Sequence, residues 1–187
     1  MAKQNILENV IIDMDSKNLI EKFTHDGFFI TSGKEYHDTI SPLLNDTIWI
    51  HEGGESNDYH PEDMKIYNII LHQIHLQIAK DIVEPYFKDY TMEKRRIWEG
   101  VNNDATAWHN DLREGPNCFF LLYHSNMKDD GAIYFKNKNS EIKTKNSEVK
   151  IYPMEGMLIG VNCKNNFLHR AEKSKNKRIV SSYYFNI

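Results

Sequence analysis

The segment Arg178-Ile179-Val180-Ser181-Ser182-Tyr183-Tyr184-Phe185 decides how the C-terminal half of this chain folds. It is rich in β-branched and aromatic residues and free of Gly and Pro, the composition of a strand. Side chains alternate along a strand, so Arg178, Val180, Ser182 and Tyr184 share one face while Tyr183 and Phe185 share the other. Working back toward Lys94, the same texture repeats in short runs of Ile, Val, Tyr, Phe and Trp separated by turn formers. Candidate strands are residues 94–99, 105–111, 117–124, 131–136, 148–152, 157–162, 167–171 and 178–186.

Ahead of Lys94 the pattern is mainly helical. Ser16 caps a segment through Leu19, Ile20 and Phe23 that stops near Gly27, and Phe28-Phe29-Ile30 reads as a strand. Residues 51–63 combine Gly, Ser, Asn, Asp and Pro, a polar loop and a candidate lid. From Pro61 to about Tyr86, Met64, Ile66, Ile70, Ile74, Ile78 and Ile82 recur at helical spacing, with Pro85 marking the end. Helices followed by seven or eight short strands predict an α+β chain. Its core is a double-stranded β-helix, a cupin-like jelly roll, with N-terminal helices packed against the major sheet. Tyr183 and Phe185 are expected beneath those helices. The expected organisation is a single domain over residues 1–187, with 1–93 as mainly helical support and 94–187 as the jelly-roll core.

Composition narrows the function. The 187 residues are 40% hydrophobic and 27% charged, ordinary for one globular domain. The net charge of -4, from 23 basic and 27 acidic residues mixed along the chain, argues against a nucleic-acid partner. Residues 136–150 are rich in Lys, Asn and Ser, but interspersed glutamates make them a solvated loop at the barrel rim rather than a basic tail. Two cysteines, Cys118 and Cys163, form neither a disulfide framework nor a zinc-type spacing, which points to a reducing, cytoplasmic setting. No signal-peptide pattern or membrane span is visible at the N-terminus.

Trp108-His109-Asn110-Asp111 carries the chemistry. On a strand, His109 and Asp111 point to the same face. With His169 from a distant strand they make two imidazoles and one carboxylate on one side of a metal. Three positions then stay open, enough for Fe(II) to take both an oxidisable acid and dioxygen. Zn(II) bound for hydrolysis, or a non-enzymatic metal-binding jelly roll, would use the same three ligands. Arg178, nine residues after His169, separates these readings. If a polar turn over 173–177 joins their strands, the guanidinium reaches the same cavity. There it can pair with the distal carboxylate of a dicarboxylate cosubstrate through two parallel hydrogen bonds. Hydrolysis on zinc gives Arg178 no such task. His72 and His75, on one side of the long helix, lack a third ligand and read as surface or satisfied, partly buried histidines. His124 reads as a structural residue at the cavity rim.

The order HxD, distant His, then Arg nine residues later resembles the 2-oxoglutarate/Fe(II)-dependent oxygenases, in particular their prolyl-4-hydroxylase-like branch. Phe119-Phe120-Leu121-Leu122-Tyr123 resembles the strand carrying a cosubstrate-contacting tyrosine, here Tyr123. Asp130-Gly131-Ala132-Ile133 resembles the Gly-Gly-x-Leu strand, with Ile133 as an apolar pocket wall. Pro153-Met154-Glu155-Gly156-Met157-Leu158 is similar to the family's Pro-x-x-Gly-x-Leu turn. In the last strand, a hydroxyl residue four after the Arg and an aromatic six after it fall on Ser182 and Tyr184. Asp26-Gly27-Phe28-Phe29-Ile30 resembles an early family strand. Two positions depart from the pattern: Trp98 stands where many relatives have Tyr, and His124-Ser125 where they have Leu-Asn. An indole donates one hydrogen bond and accepts none.

The resemblance implies Fe(II), 2-oxoglutarate and O2, with ascorbate as a further candidate. It also implies hydroxylation of an aliphatic C–H bond with release of succinate and CO2. His109, Asp111 and His169 would hold the metal; Arg178, Ser182, Tyr123, Ile133, Trp98 and Tyr184 would contact the cosubstrate. The substrate would be a prolyl or other peptidyl residue, with a free amino acid or small metabolite as the alternative. Repair enzymes of the superfamily carry a second Arg after the first; no Arg follows Arg178 here. Residues 51–63 and 112–117 are candidate substrate-facing loops.

Overall fold

The computed structural model describes residues 16–44, 56–59, 69–100, 106–110, 117–137, 148–164 and 167–187. Helix α1 (Ser16–His25) is followed by strand β1 (Phe28–Ser32), and helix α2 (Lys34–Leu44) by β2 (Ser56–Tyr59). Helix α3 (Ile69–Val83) then leads into β3 (Thr91–Gly100), β4 (Cys118–Tyr123), β5 (Ile133–Asn137) and β6 (Val149–Ile151). The chain closes with β7 (Met157–Asn162), β8 (Phe167–Ala171) and β9 (Arg178–Asn186).

The strands form two antiparallel sheets. A six-stranded sheet runs β1-β7-β4-β9-β3-β2, and a three-stranded sheet runs β6-β5-β8. Their connections cross between sheets, as in a jelly roll. The alternation in β9 divides the apolar residues in two. Val180 and Tyr184 join Phe119, Leu121 and Tyr123 of β4, Ile159 of β7 and Ile133 and Phe135 of β5 in the interior between the sheets. Tyr183 and Phe185 join Phe120 and Leu122 in a second cluster with Leu19 and Phe23 of α1, Ile40 and Leu44 of α2, and Leu71, Ile78 and Ile82 of α3. One sheet therefore presents an apolar face on each side.

Helix α1 stops, as expected, just before Gly27, whose φ of 84° favours glycine and whose missing Cβ leaves room for the Phe167 ring. Other local features differ from expectation. Helix α2 lies in a stretch for which the sequence reading names no element, and Pro42 stands inside it. Ser56–Tyr59, inside the expected polar loop, is β2 and pairs with Ile97–Gly100 of β3. The rest of that loop, the 61–68 portion of the long helix and most of 136–150 lie outside the described residues. Over residues 106–110 the expected strand is reduced to one isolated bridge, His109 to His169. Among the described residues no helix is long and apolar enough to cross a membrane.

Candidate metal and cosubstrate site

Residues 106–110 lie antiparallel against β8. His109 N–H donates to the His169 carbonyl at 3.1 Å and His169 N–H donates back at 3.0 Å. Two residues joined in this way across an antiparallel pair project their side chains to the same face. The two imidazole rings accordingly lie 4.2 Å apart, centroid to centroid. The His109 Nδ1 atom is 2.7 Å from the Ala107 carbonyl. A carbonyl only accepts, so Nδ1 carries the proton and the lone pair is on Nε2.

His169 is 8% exposed and packs against the rings of Phe119 at 5.1 Å and Phe135 at 6.4 Å. Burial, reinforced by the neighbouring His109, pulls its pKa down to about 3. It is therefore neutral at neutral pH, the form that ligates. Among the described residues no third His, Cys, Asp or Glu completes a metal-binding group. Asp111, the expected carboxylate ligand, lies outside the described residues.

Arg178 opens β9 and is 2% exposed. One amino group, Nη2, donates to the carbonyls of Gly131, at 2.8 Å, and Glu172, at 2.9 Å. These carbonyls precede β5 and follow β8, so the guanidinium sits where the two sheets meet. Its Nε is buried and has no hydrogen-bond partner. A buried donor left unpaired costs about 1–3 kcal/mol, and a ligand carboxylate would relieve that cost. The Trp98 ring lies 5.9 Å from the guanidinium carbon, and its indole N–H donates to Ser182 Oγ at 3.1 Å. Ser182, fully buried, retains its own hydroxyl proton for donation.

Tyr123 is opposite Val180 in the β4–β9 register. Burial pushes its phenol up to about 12 against the opposing influence of the Arg178 charge, so it is a neutral O–H donor. Ile133 is 4% exposed in the same interior cluster. Tyr184 packs against Phe119 with the rings tilted and 5.5 Å apart, and its hydroxyl accepts from Arg96 at 3.2 Å. The structure thus brings His109 against His169, and separately gathers Arg178, Trp98, Ser182, Tyr123 and Ile133 in the same interior.

Sequence reasoning missed Arg96. It lies two residues before Trp98 on β3, opposite Ser182, and strand parity alone would have put it on the interior face. His75 is also unlike its expected reading. It is fully buried against Tyr183, rings 4.6 Å apart, with neither ring nitrogen hydrogen-bonded. His124 faces the helix side of the sheet rather than the cavity rim. Its Nε2 is 2.8 Å from Ser181 Oγ, and its Nδ1 is 3.1 Å from Nδ1 of His37 on α2.

No family model matches this sequence, and no curated protein matches it. Solved structures do match its fold, which is that of the 2OG-Fe(II) oxygenases. A 2OG-Fe(II) oxygenase family oxidoreductase from Burkholderia pseudomallei superposes with a TM-score of 0.69 at 11% identity, covering 98% of this chain and 95% of that one. A Trichoplax adhaerens prolyl hydroxylase, solved with a hypoxia inducible factor oxygen degradation domain peptide fragment, gives 0.66 at 12% identity over 91% and 88% of the two chains. HygX from Streptomyces hygroscopicus, solved with nickel and 2-oxoglutarate, gives 0.61 at 12% identity over 91% and 86%.

Proposed function

We propose that this chain is a 2-oxoglutarate- and Fe(II)-dependent dioxygenase, one domain over residues 1–187, that hydroxylates an aliphatic C–H bond. The observation that carries the reading is the His109–His169 pair, two facing imidazoles held by reciprocal backbone hydrogen bonds inside an oxygenase fold. His109, His169 and Asp111 would hold the iron, a donor set of two imidazoles and a carboxylate that suits Fe(II). The bound iron would supply the activation of O2 that couples decarboxylation of 2-oxoglutarate to oxidation of the substrate. The balance is substrate, 2-oxoglutarate and O2 giving hydroxylated substrate, succinate and CO2.

The protein's own contributions are binding, orientation and exclusion of water. Nε of Arg178 is an unpaired donor in a buried setting, suited to the distal carboxylate of the cosubstrate. Ser182 and Tyr123 add neutral hydroxyl donors. Phe119, Phe135 and Ile133 keep the surroundings of His169 apolar. The leading substrate class is a prolyl or other peptidyl residue, supported by the likeness to the peptide-bound Trichoplax adhaerens prolyl hydroxylase. A free amino acid or small metabolite is the second class.

Incubation with Fe(II), 2-oxoglutarate and O2, with and without a peptide library and a metabolite extract, tests the proposal through succinate release. Wild type should form succinate and His109→Ala should not. Equal background from both would end the oxygenase reading, and zinc-dependent hydrolysis would then be the assignment to examine.

A further inference from the structure

On the other side of the strands that carry His109 and His169, the same two segments build a stack of alternating cations and rings. Trp108 precedes His109 and Arg170 follows His169. Alternation turns both outward from the interior, onto the other face of the small sheet. Lys136 Nζ of β5 lies 3.9 Å from the centroid of the Trp108 ring, and the Arg170 guanidinium of β8 lies 5.2 Å from it. Arg170 also covers Tyr134 of β5, its register partner, at 4.0 Å. Tyr134 in turn meets the Trp108 ring edge to face at 6.5 Å. Trp108 is thereby tied to both neighbouring strands of the small sheet.

The described residues 106–110 are also tied to the small sheet through their backbone. Besides the bridge at His109, Thr106 N–H donates to the Ala171 carbonyl at 3.0 Å, and Ala171 N–H donates to Thr106 Oγ1 at 2.8 Å. Among the described residues this segment meets β8 in one isolated bridge. Side-chain attachment on the outer face adds to these bonds. The two imidazoles within and the Trp108–Arg170 stack without share one pair of backbone hydrogen bonds. Whatever spacing the stack imposes on these strands is imposed on the histidines.

We propose that Trp108 is a positioning residue for the metal centre: clamped by Lys136 and Arg170, it holds His109 at ligating distance from His169. This rests on the metal-centre reading above. Trp108 touches neither metal nor substrate, and acts through its neighbour in sequence. Outer partners of ligating histidines typically change metal affinity by roughly ten- to a hundredfold.

The test is anaerobic titration of the metal-free protein with Co(II), followed by its visible ligand-field absorption. Trp108→Ala should weaken Co(II) binding roughly tenfold or more and alter the band pattern, and Trp108→Phe should restore most of both. Lys150→Met removes a cation that stacks on Tyr134 and Tyr152 but not on Trp108, and should leave Co(II) binding unchanged. If Trp108→Ala does not fold, Arg170→Met and Lys136→Met decide: each should weaken Co(II) binding, and affinity equal to wild type would overturn the clamp. Wild-type affinity and spectrum in a folded Trp108→Ala would overturn it too, as would an equal loss in Lys150→Met. Co(II) binding that is the same in wild type and His109→Ala would instead remove the metal centre itself, and the clamp with it.

Discussion

Arg178 Nη2 lies 2.8 Å from the Gly131 carbonyl, and a Cβ added at Gly131 would lie 2.6 Å from that same nitrogen. Gly131 also has a φ of 59°, a conformation that a side chain disfavours. Gly131→Ala should therefore displace the guanidinium as well as strain the turn. The expected result is a stability loss of about 1–3 kcal/mol, and a raised KM for 2-oxoglutarate. An unchanged KM in a folded variant would dissociate Arg178 from cosubstrate binding.

Arg178→Lys keeps a charge but has no counterpart of Nε, so the donor proposed for the cosubstrate carboxylate is lost. Its KM for 2-oxoglutarate should rise by roughly tenfold or more, the equivalent of one charge-assisted hydrogen bond. Steady-state succinate formation across a 2-oxoglutarate series measures this. A KM equal to that of wild type would contradict the assignment.

Asp130 Oδ2 accepts from the Ser174 hydroxyl at 3.1 Å and from the backbone N–H groups of Lys175 and Asn176 at 2.9 and 2.8 Å. Burial works against its charge, but these bonds, that of Asn176 foremost, hold its pKa below the ordinary carboxylate value. The carboxylate thus fixes the β8–β9 connection that delivers Arg178. Asp130→Ala should cost about 1–3 kcal/mol, read as a lower urea midpoint, and should weaken 2-oxoglutarate binding in parallel. A variant as stable as wild type would show the turn to be self-sufficient.

Stability should fall in mild acid. Burial, then the neighbouring His37, pulls the His124 pKa from 6.5 to about 3. Burial, then Arg95, His124 and His72, pulls that of His75 well below the same value. The folded state keeps both rings neutral while the unfolded chain takes up protons below its ordinary histidine pKa. The loss begins as pH drops through 6.5 and grows toward the folded pKa. Each histidine contributes a slope of about 1.4 kcal/mol per pH unit in that window. Urea denaturation at pH 7, 6 and 5 measures the slope, and His124→Asn should reduce it by one proton. Equal stability at pH 7 and pH 5 would contradict this account.

The parts of the fold readable from sequence were those set by alternation. In Arg178–Phe185 the pattern of one polar and one apolar face reports which side each residue takes, and the two clusters follow it. The approach of His109 to His169 was read from the order HxD, distant His, then Arg, whereas the bridge that joins their backbones was not expected. Helix α2 was not legible: Pro42 and a β-branched Thr39-Ile40 pair oppose a helix locally, and burial of Ile40 and Leu44 beside α3 overrides them. Strand β2 is composed of Ser, Asn, Asp and Tyr, and exists through its pairing with β3, a long-range contact that local composition does not encode. Helical spacing placed His75 on a face of α3 but carried no information on depth.

The central sheet of this molecule is read twice, once by each of its sides. Positions of one parity in β4, β7 and β9 keep the helices attached, and those of the other parity fill the interior between the sheets. Selection can therefore alter the interior by changing every second residue, while the intervening ones preserve the scaffold. Drift in the two sets should proceed at independent rates.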